Sequence, residues 1–175
     1  MRSMNTQSAF QITTSSVQQT IAFGTLLGQH LQRGDMVLLS GDLGAGKTHL
    51  TKGIVAGTGS NDQVTSPTFV FINEYRTPLR ITLYHVDLYR ITMSAELDSI
   101  GLADATAGHG IALIEWPERD PGLFEMPHLA VHIDHLTPNT RTINCTARGI
   151  RAQTLIGLLA LAWSPTKDDT HARSN

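Results

Sequence analysis

The stretch "GDLGAGKT", residues 41 to 48, constrains this chain more than anything else in it. It fits the pattern G-x-x-x-x-G-K-[ST] and stands between an apolar run, "DMVLLSG", and an amphipathic one, "KTHLTKGIVAGTG". The first reads as a buried parallel strand, the second as a helix with Gly57 and Gly59 as stop signals. A strand, a glycine loop and a helix in that order form a cradle for phosphate. The glycines let successive backbone N–H groups turn toward an anion at the positive end of the helix that follows. In such a cradle Lys47 reaches the β and γ phosphates, and the Thr48 hydroxyl is placed to ligate Mg²⁺. The predicted cofactor-binding segment is therefore Gly41, Asp42, Leu43, Gly44, Ala45, Gly46, Lys47 and Thr48. A glycine-rich turn around a solvated lysine is the bland alternative, and the flanking strand and helix argue against it.

With 175 residues, 41% of them hydrophobic, the chain has material for one ordinary core. The expectation is a single domain over 1–163, followed by a polar tail over 164–175, "SPTKDDTHARSN", with the composition of a disordered segment. A net charge of −2 excludes broad electrostatic attraction to nucleic acid or to an anionic membrane. The start, "MRSMNTQSAFQITTSS", lacks the apolar core of a signal peptide, and the one cysteine, Cys145, has no second thiol in the chain to pair with. A cytoplasmic location is expected. The longest strongly apolar run, "LIGLLALAW", is far short of the roughly 20 residues that span a bilayer, and reads as the buried face of a C-terminal helix from about 151 to 163.

The remaining pattern alternates strands with helices and then breaks the alternation. "AFQITTS" predicts a first strand and "SSVQQTIAFGTLLGQHLQRGD" a helix, with Ser15 and Gln18 spaced as a capping box. "TFVFINEYRT" and "LRITLYHVDLYR" are separated only by Pro78 and its neighbours, which is hairpin spacing, so the sheet should be mixed. Ser94 is placed to cap a short helix through "AELDSIGL", "GIALIEW" predicts another strand, and "HLAVHIDHLTPNTRTINCTARG" a hairpin turning at Pro138 and Asn139.

Hydrolysis of a nucleotide triphosphate needs a second magnesium anchor and a group that places water in line with the γ phosphate. Asp87 ends "TLYHVD" and Glu115 ends "IALIE", each at the carboxyl end of a predicted strand, where ligands of open α/β sheets collect. Spacing alone leaves open which of the two holds the metal. "TSPTF", 65 to 69, lies about twenty residues past the loop, where the Thr68 hydroxyl, approached through the stiff Pro67, is a candidate reporter of nucleotide state.

"GDLGAGKT", "SPTF", "HVDLYR", "ELDSIGL" and "IEWPE", in this order and spacing over roughly residues 10 to 150, resemble the TsaE (YjeE) family of bacterial ATPases. The resemblance implies a three-layer α/β fold of the phosphate-loop NTPase type with a mixed parallel and antiparallel sheet, and ATP with Mg²⁺ as cofactors. It implies work on a threonylcarbamoyl-transferase complex with TsaB and TsaD type subunits, which modifies adenosine 37 of tRNA, so that tRNA is met indirectly. It also implies that Thr48 and Glu115 hold Mg²⁺, that Lys47, Asp87 and Thr68 serve catalysis, and that Trp116 lines the site. The rival from another class is a small-molecule kinase. Its lid would gather arginines, and here the arginines at 76, 80, 90, 119, 141 and 148 are scattered. A GTPase is disfavoured because no N-K-x-D segment occurs.

The eight histidines suggest a metal, but His132 and His135 fall on opposite faces of a strand and no Cys or His cluster has zinc spacing. His85 shares the strand face of Asp87; packing is the default role, and tuning of that carboxylate the functional one. Cys145 reads as a buried thiol.

Overall fold

In the computed structural model, described over residues 9–65, 71–93 and 95–164, one seven-stranded sheet organises the chain. The strands are β1 (Ala9–Thr14), β2 (Met36–Ser40), β3 (Ile72–Arg76), β4 (Thr82–Asp87), β5 (Ile111–Glu115), β6 (His128–His135) and β7 (Arg141–Arg148). Their spatial order is β1-β7-β6-β2-β5-β4-β3. The inner pairs β6–β2, β2–β5 and β5–β4 are parallel, whereas β1, β7 and β3 pair antiparallel at the two sides. The mixed sheet expected from the two hairpins is present.

Burial explains the strand types. The β2 run "MVLLS" and the β5 run "IALIE" are buried nearly throughout, because helices cover both faces of a central parallel strand. Val37, Leu39, Leu113 and Val131 point into one core with the helices α1 (Val17–His30), α2 (Lys47–Gly57) and α5 (Ile150–Ala162). Met36, Leu38, Ile114 and Val86 point the other way, against the short helices α3 (Ala95–Ser99) and α4 (Leu102–Thr106). The result is three layers. The short helix expected through "AELDSIGL" is α3 and ends at Ser99, because Gly101, with φ +81, breaks the helical run before α4 starts at Leu102. Ser94, the expected cap there, lies outside the described residues.

The cap of α1 sits one residue later than its sequence spacing suggests. Ser16, in extended conformation, accepts the Gln19 N–H at 3.2 Å, and the Gln19 Oε1 takes the Ser15 N–H at 2.8 Å. The register is set by burial: Gln19, Thr20, Phe23, Gly24, Leu27 and Gly28 form the inward face, and a helix starting one residue earlier would turn that face. Along it, Gly24 and Gly28 meet Gly53 and Gly57 of α2 at backbone contact. A Cβ on Gly53 would lie 2.1 Å from the Ile21 carbonyl oxygen, and one on Gly24 2.4 Å from that of Leu50. Close approach of these two helices fixes α2 beneath its loop. At the far end, Trp163 packs edge-on to Phe23 with ring centroids 5.3 Å apart, closing α5 over the core. Among the described residues no helix is long and apolar enough to cross a membrane.

Candidate functional site

The strand β2 ends at Ser40, and the chain leaves the sheet through Gly41 (φ +141), Gly44 (φ +78) and Gly46 (φ +117) before α2 begins at Lys47. Gly41 is required sterically as well as conformationally, since a Cβ there would stand 2.3 Å from the Ile133 carbonyl oxygen on β6. The loop is braced from outside by Arg141 at the start of β7. Its Nε donates to the Ala45 carbonyl at 2.7 Å, and its Nη1 donates to the carbonyls of Thr137, Pro138 and Thr140. One guanidinium thus ties the β6–β7 turn to the phosphate loop. Nothing in local spacing pointed to Arg141, because its contact spans 96 positions and exists only once the hairpin has paired.

Parallel pairing brings the two candidate acids together. Asp87 and Glu115 are register partners at the ends of β4 and β5, and the β5 strand lies directly beside β2. A cleft of about 290 Å³ opens over these strand ends, lined by the loop from Leu43 to His49 except Ala45, by Asp87 and Glu115, and by Tyr89, Arg90 and Trp116. Tyr89 and Arg90, just beyond Asp87, carry no site role in the sequence; their signals were proximity to that acid and membership of the stretch "HVDLYR". Thr68 lies outside the described residues.

Lys47 is buried, its Nζ donating to the carbonyls of Gly41 at 2.6 Å and Asp42 at 3.0 Å and lying 4.2 Å from the centroid of the Trp116 ring. Burial lowers its pKa from the ordinary lysine value, opposed by the charges of Glu115, Asp87, Glu118 and Asp42. Trp116 reaches this place through a left-handed backbone, φ +58, between Glu115 and Pro117, with its N–H donating to the Leu39 carbonyl. Such a conformation costs a non-glycine residue roughly 1–3 kcal/mol and persists where surrounding structure enforces it.

The carboxylates are held differently. Asp87 accepts the Tyr89 N–H at 2.9 Å, and burial raises its pKa above the ordinary aspartate value, with that hydrogen bond opposing and the Glu115 charge reinforcing the shift. Glu115 is buried; its Oε1 accepts from His85 Nε2 at 2.9 Å and from Thr51 Oγ1 at 3.4 Å. His85 therefore bonds directly to Glu115, across the strand pair, rather than to the Asp87 whose face it shares. Among the described residues no group of three His, Cys, Asp or Glu side chains could hold a metal. Magnesium suits such a place all the same, since it is commonly held by one or two protein groups together with phosphate oxygens and water.

The cradle fits a nucleotide phosphate with Mg²⁺. Among the described residues the buried ammonium has only carbonyls and a ring as partners, the Gly44 position is open on its Cβ side, and the exposed Thr48 lines the same cleft as Glu115. Elsewhere, Ser40 Oγ, His132 and Asp134 form a hydroxyl–imidazole–carboxylate chain with contacts of 2.8 and 3.0 Å, but none of the three lines this cleft. Burial pushes the Cys145 thiol up to about 12, which leaves it a packed, unreactive group.

A glycine loop between a strand and a helix, over the carboxyl ends of parallel strands, defines a phosphate-loop protein of the mixed-sheet kind. The family model described as threonylcarbamoyl adenosine biosynthesis protein TsaE matches residues 14–143. The chain belongs to the TsaE family. Among its relatives are the tRNA threonylcarbamoyladenosine biosynthesis protein TsaE of Treponema pallidum, 40% identical over 118 residues (67% of this chain, 84% of the relative). The protein of the same name from Bacillus subtilis is 37% identical over 142 residues (81% and 88%). The crystal structure of Bacillus subtilis YdiB superposes with a TM-score of 0.74 at 30% identity, covering 90% of this chain and 97% of that one.

Proposed function

We propose that the protein binds ATP with Mg²⁺ in the cleft over β2, β4 and β5 and hydrolyses it slowly, as the energy-coupled subunit of the cytoplasmic machinery that makes threonylcarbamoyladenosine in tRNA. The observation that carries this reading is the convergence of Lys47, Thr48, Asp87 and Glu115 on one cleft in a chain of this family. In it, the loop N–H groups and Lys47 hold the β and γ phosphates, and the ammonium exchanges two carbonyls for an anion. Mg²⁺ bound there would supply positive charge to the phosphate oxygens. Thr48 and Glu115 would hold the metal, while Asp87, half-buried and lining the same cleft, orients the attacking water and takes its proton. Trp116 keeps the lysine at its station, and Thr68 belongs to a segment that responds to nucleotide.

The substrate of the wider machinery is adenosine 37 of tRNA, and the partners are the TsaB and TsaD type subunits of the transferase complex. The relatives are named for threonylcarbamoyladenosine biosynthesis in tRNA, which supports a role in that pathway over a small-molecule kinase. Lys47→Ala tests the site. It removes the cation facing the phosphates, and loss of a preorganised charge contact costs on the order of 3 kcal/mol, about a hundredfold or more in rate. Steady-state phosphate release measures the effect; unchanged turnover overturns the assignment.

A further inference from the structure

His85 is the most buried ionisable side chain around the cleft, 1% exposed, and the reaction outlined above makes no use of it. Its ring lies against Tyr75, with centroids 6.1 Å apart and planes at 28°. Its Nε2 meets Glu115 Oε1 at 2.9 Å, and its Nδ1 is buried with no hydrogen-bond partner. The hydrogen-bond network assigns the donor. With hydrogen on Nδ1 alone, a buried N–H would be orphaned and a nitrogen lone pair would face a carboxylate oxygen; with hydrogen on Nε2, the carboxylate receives a bond and only an acceptor is left unpaired. His85 therefore donates to Glu115.

The second donor, Thr51 Oγ1 from α2, falls on the same oxygen. Glu115 is thus gripped on Oε1 from two sides, by β4 and by α2, and the Oε2 edge of the carboxylate is left for the cleft that Thr48 and Lys47 share with it. We infer that His85 is a positioning residue: by holding Glu115 through Oε1, it presents the other oxygen to Mg²⁺. The inference rests on the nucleotide-site reading above and assigns a role that reading does not contain. A carboxylate that must take up a metal together with a bound nucleotide loses affinity if it rotates freely, and outer partners of metal ligands are commonly worth 10–100-fold in metal affinity. A histidine that merely filled the core would affect stability and leave the metal requirement alone.

The test titrates Mg²⁺ against binding of a non-hydrolysable ATP analogue to the full chain, in wild type, His85→Phe and His85→Gln, with thermal melts of each without nucleotide. Phenylalanine keeps the stack on Tyr75 and removes the N–H, whereas glutamine carries an amide N–H near the Nε2 position. His85→Phe is expected to raise the half-saturating Mg²⁺ concentration by about tenfold or more, and His85→Gln by no more than about threefold. Affinity for the analogue without Mg²⁺ should be the same in all three. Should the phenylalanine variant not fold, His85→Asn, whose shorter amide falls short of Glu115, takes its place. Equal Mg²⁺ requirements in wild type and His85→Phe, or equal impairment of His85→Phe and His85→Gln, overturn the inference. Analogue binding by wild type that ignores Mg²⁺ brings down the nucleotide-site reading instead.

Discussion

Asp87 and Glu115 stand side by side across two strands, and their surroundings differ. Burial raises the Asp87 pKa, so the folded state holds that proton more tightly than the unfolded chain does. The stabilising contribution is complete below the ordinary aspartate value and is lost as pH rises through the raised folded value. At neutral pH the ionised Asp87 therefore weighs against the fold. Asp87→Asn, whose side-chain oxygen still accepts the Tyr89 N–H, should melt no lower than wild type at pH 7, bind nucleotide nearly as well and stop turning over. Its advantage in melting temperature should narrow as the pH is lowered toward the ordinary carboxylate range. Glu115→Gln, which still accepts from His85, should instead raise the Mg²⁺ needed for nucleotide binding. Melts across pH together with binding titrations separate the two roles, and the opposite pattern would exchange them.

Helix packing under the loop makes a sharper demand than helix propensity does. Gly53→Ala would put a methyl carbon 2.1 Å from the Ile21 carbonyl, so α1 and α2 must move apart, at a cost of about 1–3 kcal/mol. Gly157 on α5 has nothing within 4 Å of its Cβ position, and Gly157→Ala should stabilise by up to about 1 kcal/mol through propensity alone. Chemical denaturation of the pair checks whether the crossing or the residue type decides. The β6–β7 hairpin is coupled to the loop by Arg141, whose bond to the Ala45 carbonyl crosses from sheet to cradle. Losing a hydrogen bond from a charged donor costs about 1.5–3 kcal/mol. Arg141→Ala should therefore weaken nucleotide binding about tenfold while leaving the sheet intact; calorimetric titration beside circular dichroism would show a self-supporting loop if affinity did not change.

For the molecule as a whole, the cleft is lined by Lys47 on the loop and Arg90 beyond β4, and the proposed reaction assigns only the lysine to the phosphates. A positive charge supplied in trans to the γ phosphate can be worth about 10³ to 10⁵ in rate. Phosphate release by the protein alone should accordingly be slow and should rise when the TsaB and TsaD type complex is added. With a net charge of −2, tRNA alone should bind weakly and in a salt-sensitive way and should stimulate little. The same assay with protein alone, with tRNA alone and with the partner complex discriminates. Turnover by the isolated chain at about 1–100 per second, the range of kinases, would sink the coupled-subunit reading.

What could be read from the order of residues was whatever short-range chemistry dictates. The loop "GDLGAGKT" needs only eight positions to announce its conformation, the hairpins announce themselves by spacing, and the apolar runs of β2 and β5 carry their own burial. The mixed sheet followed from these. The acids at the ends of β4 and β5 were legible as a pair because strand ends collect ligands, but their partners were not. The bond from His85 to Glu115 spans 30 positions and that from Arg141 to Ala45 spans 96. The glycines of α1 and α2 likewise read as weak helix positions until the two helices cross and backbone meets backbone. Even the α1 cap moved by one residue to suit the buried face. Each of these depends on contacts between segments distant in sequence, and their geometry comes into being when the sheet pairs and the layers close.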